Sequence, residues 1–115
     1  MKKISIVVPC YNEEDVIEEF YKELMNVLNS IKNYEHEIIF IDDGSKDKTI
    51  TIIKGMKQKD ENIKIISFSR NFGKESAMFA GLENAKGDLV VVMDADLQHP
   101  PKKIIEMVEG IEERF

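Results

Sequence analysis

A mainly parallel α/β sheet is what this sequence predicts, and two observations predict it. Short apolar runs rich in β-branched residues alternate with longer stretches whose apolar residues recur at helical spacing. Two of the runs, Glu37-Ile38-Ile39-Phe40-Ile41 and Leu89-Val90-Val91-Val92-Met93, break off directly into acids. The βαβαβαβα order implies right-handed crossovers with helices on both faces. That is a Rossmann-like, three-layer α/β/α arrangement with expected strand order 3-2-1-4. At 115 residues the chain is one domain at most, or part of a longer one.

Each element follows from a local pattern. Ile4 to Val8 is the first buried strand, closed by Pro9. Glu13 to Ile31 carries Ile17, Phe20, Leu24, Leu28 and Ile31 at helical spacing, with Asn12 placed to cap it and acids in its first turn. Asn33 to His36 links to the second strand, Glu37 to Ile41. Asp47 to Lys57 is a shorter helix with Ile50, Ile53 and Met56 on one side. Ile63 to Phe68 is the third strand, and Gly73 to Ala85 the third helix, stopped by Lys86-Gly87-Asp88. Leu89 to Met93 is the fourth strand. Pro101 opens a last helix with Ile104, Ile105, Val108 and Ile111 inward. Strand four would stand at the sheet edge without charged gatekeepers. Such an edge predicts further strands in a longer protein, self-association, or cover from the final helix.

Bulk properties narrow the function classes. A hydrophobic content of 43% is enough for a packed core. Sixteen Lys plus Arg against 22 Asp plus Glu leave a net charge of −6 with no basic tract, which argues against a nucleic-acid partner. Cys10 stands alone, so no intramolecular disulfide forms, and at a strand end it reads as a half-buried small residue rather than a nucleophile. Ile4 to Val8 is too short for a signal sequence, and no run approaches the ~18 apolar residues of a membrane span. The chain by itself is therefore expected to be soluble. Met78 and Met93 read as core filler.

The chemistry sits where strands end. Extended chain places Asp94 and Asp96 on one side, about 6.5 Å apart, with Gln98 next in the row. Two close carboxylates repel unless a cation lies between them, and an all-oxygen set suits a hard divalent ion carrying a phosphate. An isolated D-x-D is more often a solvated turn. Here a second acid pair, Asp42-Asp43, ends another strand, and parallel sheets bind ligands at that rim. In the 3-2-1-4 order, Pro9 to Glu13 and Asp94 to Gln98 line the crevice, with the Asp42-Asp43 turn alongside. Tyr11 offers a flat face for a base or ribose, and ionised Asp43 is an acceptor for a ring N–H. The start of the third helix, near Gly73, offers amides to phosphate. Gly44-Ser45 also reads as an ordinary turn, Lys74 as a solvated loop charge and His99 as a loop residue fixed by Pro100.

Taken together, the motifs resemble a known family. Ile6-Val7-Val8-Pro9-Cys10-Tyr11-Asn12-Glu13-Glu14, Asp42-Asp43-Gly44-Ser45-Lys46-Asp47-Lys48-Thr49 and Asp94-Ala95-Asp96 are similar, in order, to motifs of family 2 glycosyltransferases of the GT-A fold. Met93-Asp94-Ala95-Asp96-Leu97-Gln98-His99-Pro100-Pro101 and Ser69-Arg70-Asn71-Phe72-Gly73-Lys74-Glu75 resemble the polyprenyl-phosphate branch, which includes dolichol-phosphate mannosyltransferases and bactoprenol glucosyltransferases.

The resemblance implies that residues 1–115 are the nucleotide-sugar-binding part of such a domain, the acceptor part and any membrane helices lying beyond it. It implies that Pro9, Tyr11 and Glu13 cradle the donor's base and ribose and that Asp43 hydrogen-bonds the base. Arg70 and Lys74 would lie near the donor. Asp94, Asp96 and Gln98 would hold Mg²⁺ or Mn²⁺ against its diphosphate, the two acids being the catalytic pair. The implied reaction is inverting sugar transfer, UDP-glucose favoured, to a polyprenyl phosphate at the cytoplasmic face of a membrane. The chain alone is expected to bind nucleotide weakly without catalysing transfer. Two other readings compete: the same family acting on a hydroxyl acceptor in cell-surface polysaccharide synthesis, and a phosphoacceptor signalling domain. The latter needs an acid pair after strand one and an Asp after strand three. Here those ends read Pro9-Cys10-Tyr11 and Ser69-Arg70-Asn71.

Overall fold

Four parallel strands in the order β3-β2-β1-β4 form the centre of the molecule, as the element order requires. The computed structural model describes residues 2–95 and 101–114, with side chains up to residue 110. Its elements run β1 (Lys2–Cys10), α1 (Ile17–Ser30), β2 (Tyr34–Asp42), α2 (Thr49–Lys59), β3 (Ile63–Ser67), α3 (Lys74–Asn84), β4 (Leu89–Val92) and α4 (Lys103–Arg114).

Helices on two faces give the sheet its three layers. Ile4, Ile6, Val8, Ile38 and Phe40 of the strands bury against Ile17, Phe20 and Leu24 of α1, Ile53 of α2, and Ile104 and Val108 of α4. Val7, Ile39 and Ile41 face the other way, onto Ala77 of α3. Strands covered on both sides read as continuous apolar runs, which is why β1 and β2 show no alternation. In register, Cys10 pairs with Asp42 and Asp42 with Ser67, so the strand ends lie along one rim.

Pro9 lies inside β1 rather than closing it. Val7 O accepts the Met93 amide and Cys10 O accepts the Asp43 amide, each at 2.9 Å, so alternate residues of β1 bond to β4 and to β2. Pro9 falls on the β4 side, one pair beyond the last bond to that strand, where its missing N–H costs nothing.

Among the boundaries that differ from expectation, such as β2 starting at Tyr34 rather than Glu37, three have clear physical reasons. Helix α1 starts at Ile17, not Glu13, because Asn12 stands in left-handed backbone at φ 52° and cannot cap it; Val16 is the N-cap, without a side-chain bond. Helix α2 starts at Thr49, so its inward stripe is Thr49, Ile52, Ile53 and Met56, and Ile50 is rotated off it. Gly87 is not a helix stop. Helix α3 ends at Asn84 with extended Ala85 after it, and Gly87 is needed for close approach, since a Cβ there would lie 2.6 Å from Ser5 Oγ.

Strand β4 pairs with β1 alone among the described residues. Leu89 and Val91 pack on the α1 side with α4, so the last helix covers one face. Val90 and Val92, facing the α3 side, are 42% and 39% exposed, as are Phe79 at 65% and Leu82 at 42% on α3. Concentration-dependent self-association is the expected outcome in sedimentation velocity, weakened by Val92→Lys. A strictly monomeric chain at high concentration would contradict it.

Candidate active site

A cleft of about 200 Å³ opens at the carboxyl rim, between the ends of β1 and β4. Pro9, Cys10, Tyr11, Glu13, Asp43, Lys74 and Asp94 line it. Six of the residues expected from sequence are thus brought together: Pro9, Tyr11, Glu13, Asp43, Lys74 and Asp94. Arg70 is not among the lining residues. Its guanidinium stacks 4.7 Å from the centre of the Phe72 ring, which meets Phe68 edge-on at 5.5 Å. Asp96, Gln98 and His99 lie outside the described residues. A larger hollow of about 420 Å³ between β4 and α4 is lined mainly by Leu89, Val90, Val91, Met107 and Val108, with Glu106, and offers little to a charged ligand.

Asp43 is the structural hinge-pin of the cleft. Its carboxylate is buried and accepts the Phe72 amide at 2.8 Å, the Gly73 amide at 3.1 Å and Asn71 Nδ2 at 3.1 Å. The amides expected to be open to phosphate at the start of α3 are therefore already committed at Phe72 and Gly73. A carboxylate has about four acceptor positions, so roughly one is left for a ligand. Gly44, next in the turn, stands at φ 69°, and a Cβ there would lie 2.2 Å from the Arg70 carbonyl carbon. The Asp42-Asp43-Gly44 turn and the Arg70–Gly73 loop are packed as one.

A second set of bonds ties the segment after β1 to the segment after β2. Asn12 N donates to Ser45 Oγ at 2.9 Å, and Asn12 Oδ1 accepts the Lys46 amide at 2.9 Å. Glu13 N donates to Thr49 Oγ1 at 2.8 Å, and Glu14 N to Asp47 Oδ2 at 3.2 Å. Glu14 in turn accepts the Lys48 amide at 3.2 Å. These bonds explain why Asn, Ser, Asp and Thr recur in the two turns: short polar side chains satisfy backbone donors that no strand or helix reaches. Slight burial raises the Asp47 carboxyl, but bonds from the Thr49 hydroxyl and amide and the Glu14 amide outweigh it and hold it below its ordinary value.

Negative charge gathers under the cleft. Burial pushes the Cys10 thiol well above its ordinary value, and Glu13, Asp42 and Asp94 push it further, so it stays protonated and is no nucleophile. Asp42 is 2% exposed, and its Oδ1 has no hydrogen-bond partner among the described residues.

Lys74, which reads locally as a solvated loop charge and which the resemblance places near the donor, reaches across the cleft to Asp94, Nζ to Oδ2 at 2.7 Å. Twenty residues separate the two, so only the fold brings them together. The ammonium acts as a stand-in cation: it shows that the Asp94 carboxylate faces a spot where a positive charge is held. A hard divalent ion fits that oxygen donor.

The parallel 3-2-1-4 sheet with acids converging at its carboxyl rim matches the fold of GT-A glycosyltransferases. The family model described as "Glycosyl transferase family 2" matches residues 5–115, and the chain belongs to that family. It is 50% identical over 107 residues to the bactoprenol glucosyl transferase of Shigella phage SfV, covering 93% of this chain and 34% of that protein. The structure of S. aureus TarS 1-349 in complex with UDP is similar at a TM-score of 0.73 and 29% identity, covering 96% of this chain and 32% of that one. The mannosyltransferase PcManGT from Pyrobaculum calidifontis, in complex with GDP-Man and Mn²⁺, is similar at a TM-score of 0.71 and 25% identity, covering 83% and 28%. The chain spans about a third of the length of the curated relatives it matches.

Proposed function

We propose that the protein to which this chain belongs transfers a sugar from a nucleotide-sugar donor, UDP-glucose favoured, to a polyprenyl phosphate at the cytoplasmic face of a membrane. The observation that carries the reading is the meeting of Asp43 and Asp94, fifty-one residues apart, in one cleft beside Tyr11 and Glu13. The half-identity with a bactoprenol glucosyl transferase supports the acceptor. The UDP and GDP-Man complexes of structural relatives support the donor class, and the Mn²⁺ complex supports a divalent ion.

In this reading Tyr11, 40% exposed, gives the base or ribose a face to pack on, and Pro9 and Glu13 shape the pocket around it. The remaining acceptor position on Asp43 takes a ring N–H. Asp94 and Asp96, with Gln98, would hold Mg²⁺ or Mn²⁺, which when bound would neutralise charge on the nucleoside diphosphate. A phosphate oxygen of the acceptor forms the new bond to the anomeric carbon as the bond to the donor diphosphate breaks, and the bond pair leaves with the diphosphate, inverting the centre. The acceptor needs no strong base, since the second phosphate pKa is about 6. Cys10, held as a thiol, takes no covalent part.

Titration calorimetry of UDP and GDP with and without Mn²⁺ tests this. UDP is expected to bind more tightly with Mn²⁺, and Asp94→Ala to remove the metal-dependent part, about tenfold in affinity or ~1.4 kcal/mol. Affinity that ignores both metal and the substitution would defeat the proposal.

A further inference from the structure

We infer that Lys74 is an exchangeable counter-ion: it occupies the cation position on Asp94 while the cleft is empty and passes to the donor diphosphate when the divalent ion arrives. This rests on the donor-site reading above and gives Lys74 a specific part in it. The cleft is lined by three carboxylates, Glu13, Asp43 and Asp94, and among its described lining residues Lys74 carries the one positive charge. Left without a cation, Asp94 would share a small opening with two further carboxylates, and like charges so placed repel. Its ion pair to Lys74, at 2.7 Å, places a positive charge against that carboxylate at the cleft.

The same pair cannot persist once a metal is bound. Mg²⁺ needs its oxygens at about 2.0–2.1 Å, and an ammonium on the same carboxylate would sit against it as a like charge. Lys74 is free to leave: its side chain is 64% exposed, on a flexible four-carbon stem, and pairs of that exposure hold weakly. It also has somewhere to go. Lys74 is the first residue of α3, at the mouth of the cleft, where a diphosphate bound to the ion on Asp94 would bring new negative charge within reach of the swung ammonium.

Exchange of this kind has a signature that a simple structural or phosphate-binding role lacks: the two affinities move in opposite directions. Free Mn²⁺ is titrated by electron paramagnetic resonance into this chain, alone and with saturating UDP. Lys74→Met, which keeps the stem and removes the charge, is expected to tighten Mn²⁺ alone by about threefold to tenfold and to weaken UDP binding in the presence of Mn²⁺ by about tenfold. Lys74→Arg, which keeps the charge, is expected to stay near wild type on Mn²⁺ alone. Loss of both affinities in Lys74→Met would make Lys74 only a support for Asp94 and overturn the exchange. A gain in both would overturn the transfer to diphosphate, and no change in either would overturn the whole inference. Wild-type protein that shows no Mn²⁺-dependent UDP binding would instead fail the donor-site reading, and the inference with it.

Discussion

An Asp43→Ala variant is expected to lose about 2–4 kcal/mol of stability, and nucleotide binding with it. The carboxylate is buried and carries bonds from the Phe72 and Gly73 amides and from Asn71 Nδ2. Removing it strands two backbone donors in a partly buried loop, and an orphaned donor costs its full desolvation. The loss would not stay local, because the Gly44 turn presses on the Arg70 backbone. Asp43→Asn is expected to be intermediate, since its amide nitrogen must face one of the donors that the carboxylate satisfied. Urea unfolding and UDP calorimetry on the two variants decide it. A near-normal unfolding midpoint for Asp43→Ala would show that the loop is held by other contacts.

Acid is expected to weaken the protein through Glu37 as the pH falls below about 4.5. Glu37 is 2% exposed at the opposite end of the sheet from the cleft, and it accepts Ser5 Oγ at 2.5 Å and the Lys86 amide at 2.8 Å. Lys64 Nζ lies 2.6 Å from its other oxygen. Burial raises its pKa, but the bonds from Lys64, Ser5 and the Lys86 amide outweigh that and lower it from 4.5 to about 2. The folded value is below the unfolded one, so the folded state binds this proton less readily. The stabilisation is full above about 4.5 and drains away as pH falls towards 2. Glu37→Gln is expected to cost about 2–4 kcal/mol at neutral pH and to flatten the acid limb of stability between those values. Urea midpoints from pH 7 down to 2.5, with an unchanged limb in the variant, would refute the assignment.

The contrast between these two acids marks what the sequence could and could not reveal. Strand and helix types were legible because the apolar period is strong: Ile17, Phe20, Leu24 and Leu28 fall inward as their spacing demands. The rim was legible because β2 and β4 end in acids and parallel topology puts strand ends together. Interactions between distant residues were not. Nothing around Glu37 announces that Ser5, Lys64 and Lys86 converge on it, and nothing around Lys74 announces Asp94. Asn12 misled for a related reason. An Asn ahead of a helical stretch favours a cap locally, but its bonds to Ser45 and Lys46 draw it into left-handed backbone instead. The signal for this is the density of short polar residues in the second turn, Ser45, Asp47 and Thr49, which a helix start alone does not need.

The bonding between residues 12–14 and 45–49 has a practical corollary for anyone redesigning the cleft. Neither turn is a separable module, for each supplies the acceptors that the other's amides depend on. A transplant of one alone, taken from a relative of different nucleotide preference, would arrive with its hydrogen-bonding counterpart missing. Swaps of specificity at this end of the sheet must therefore carry both turns together.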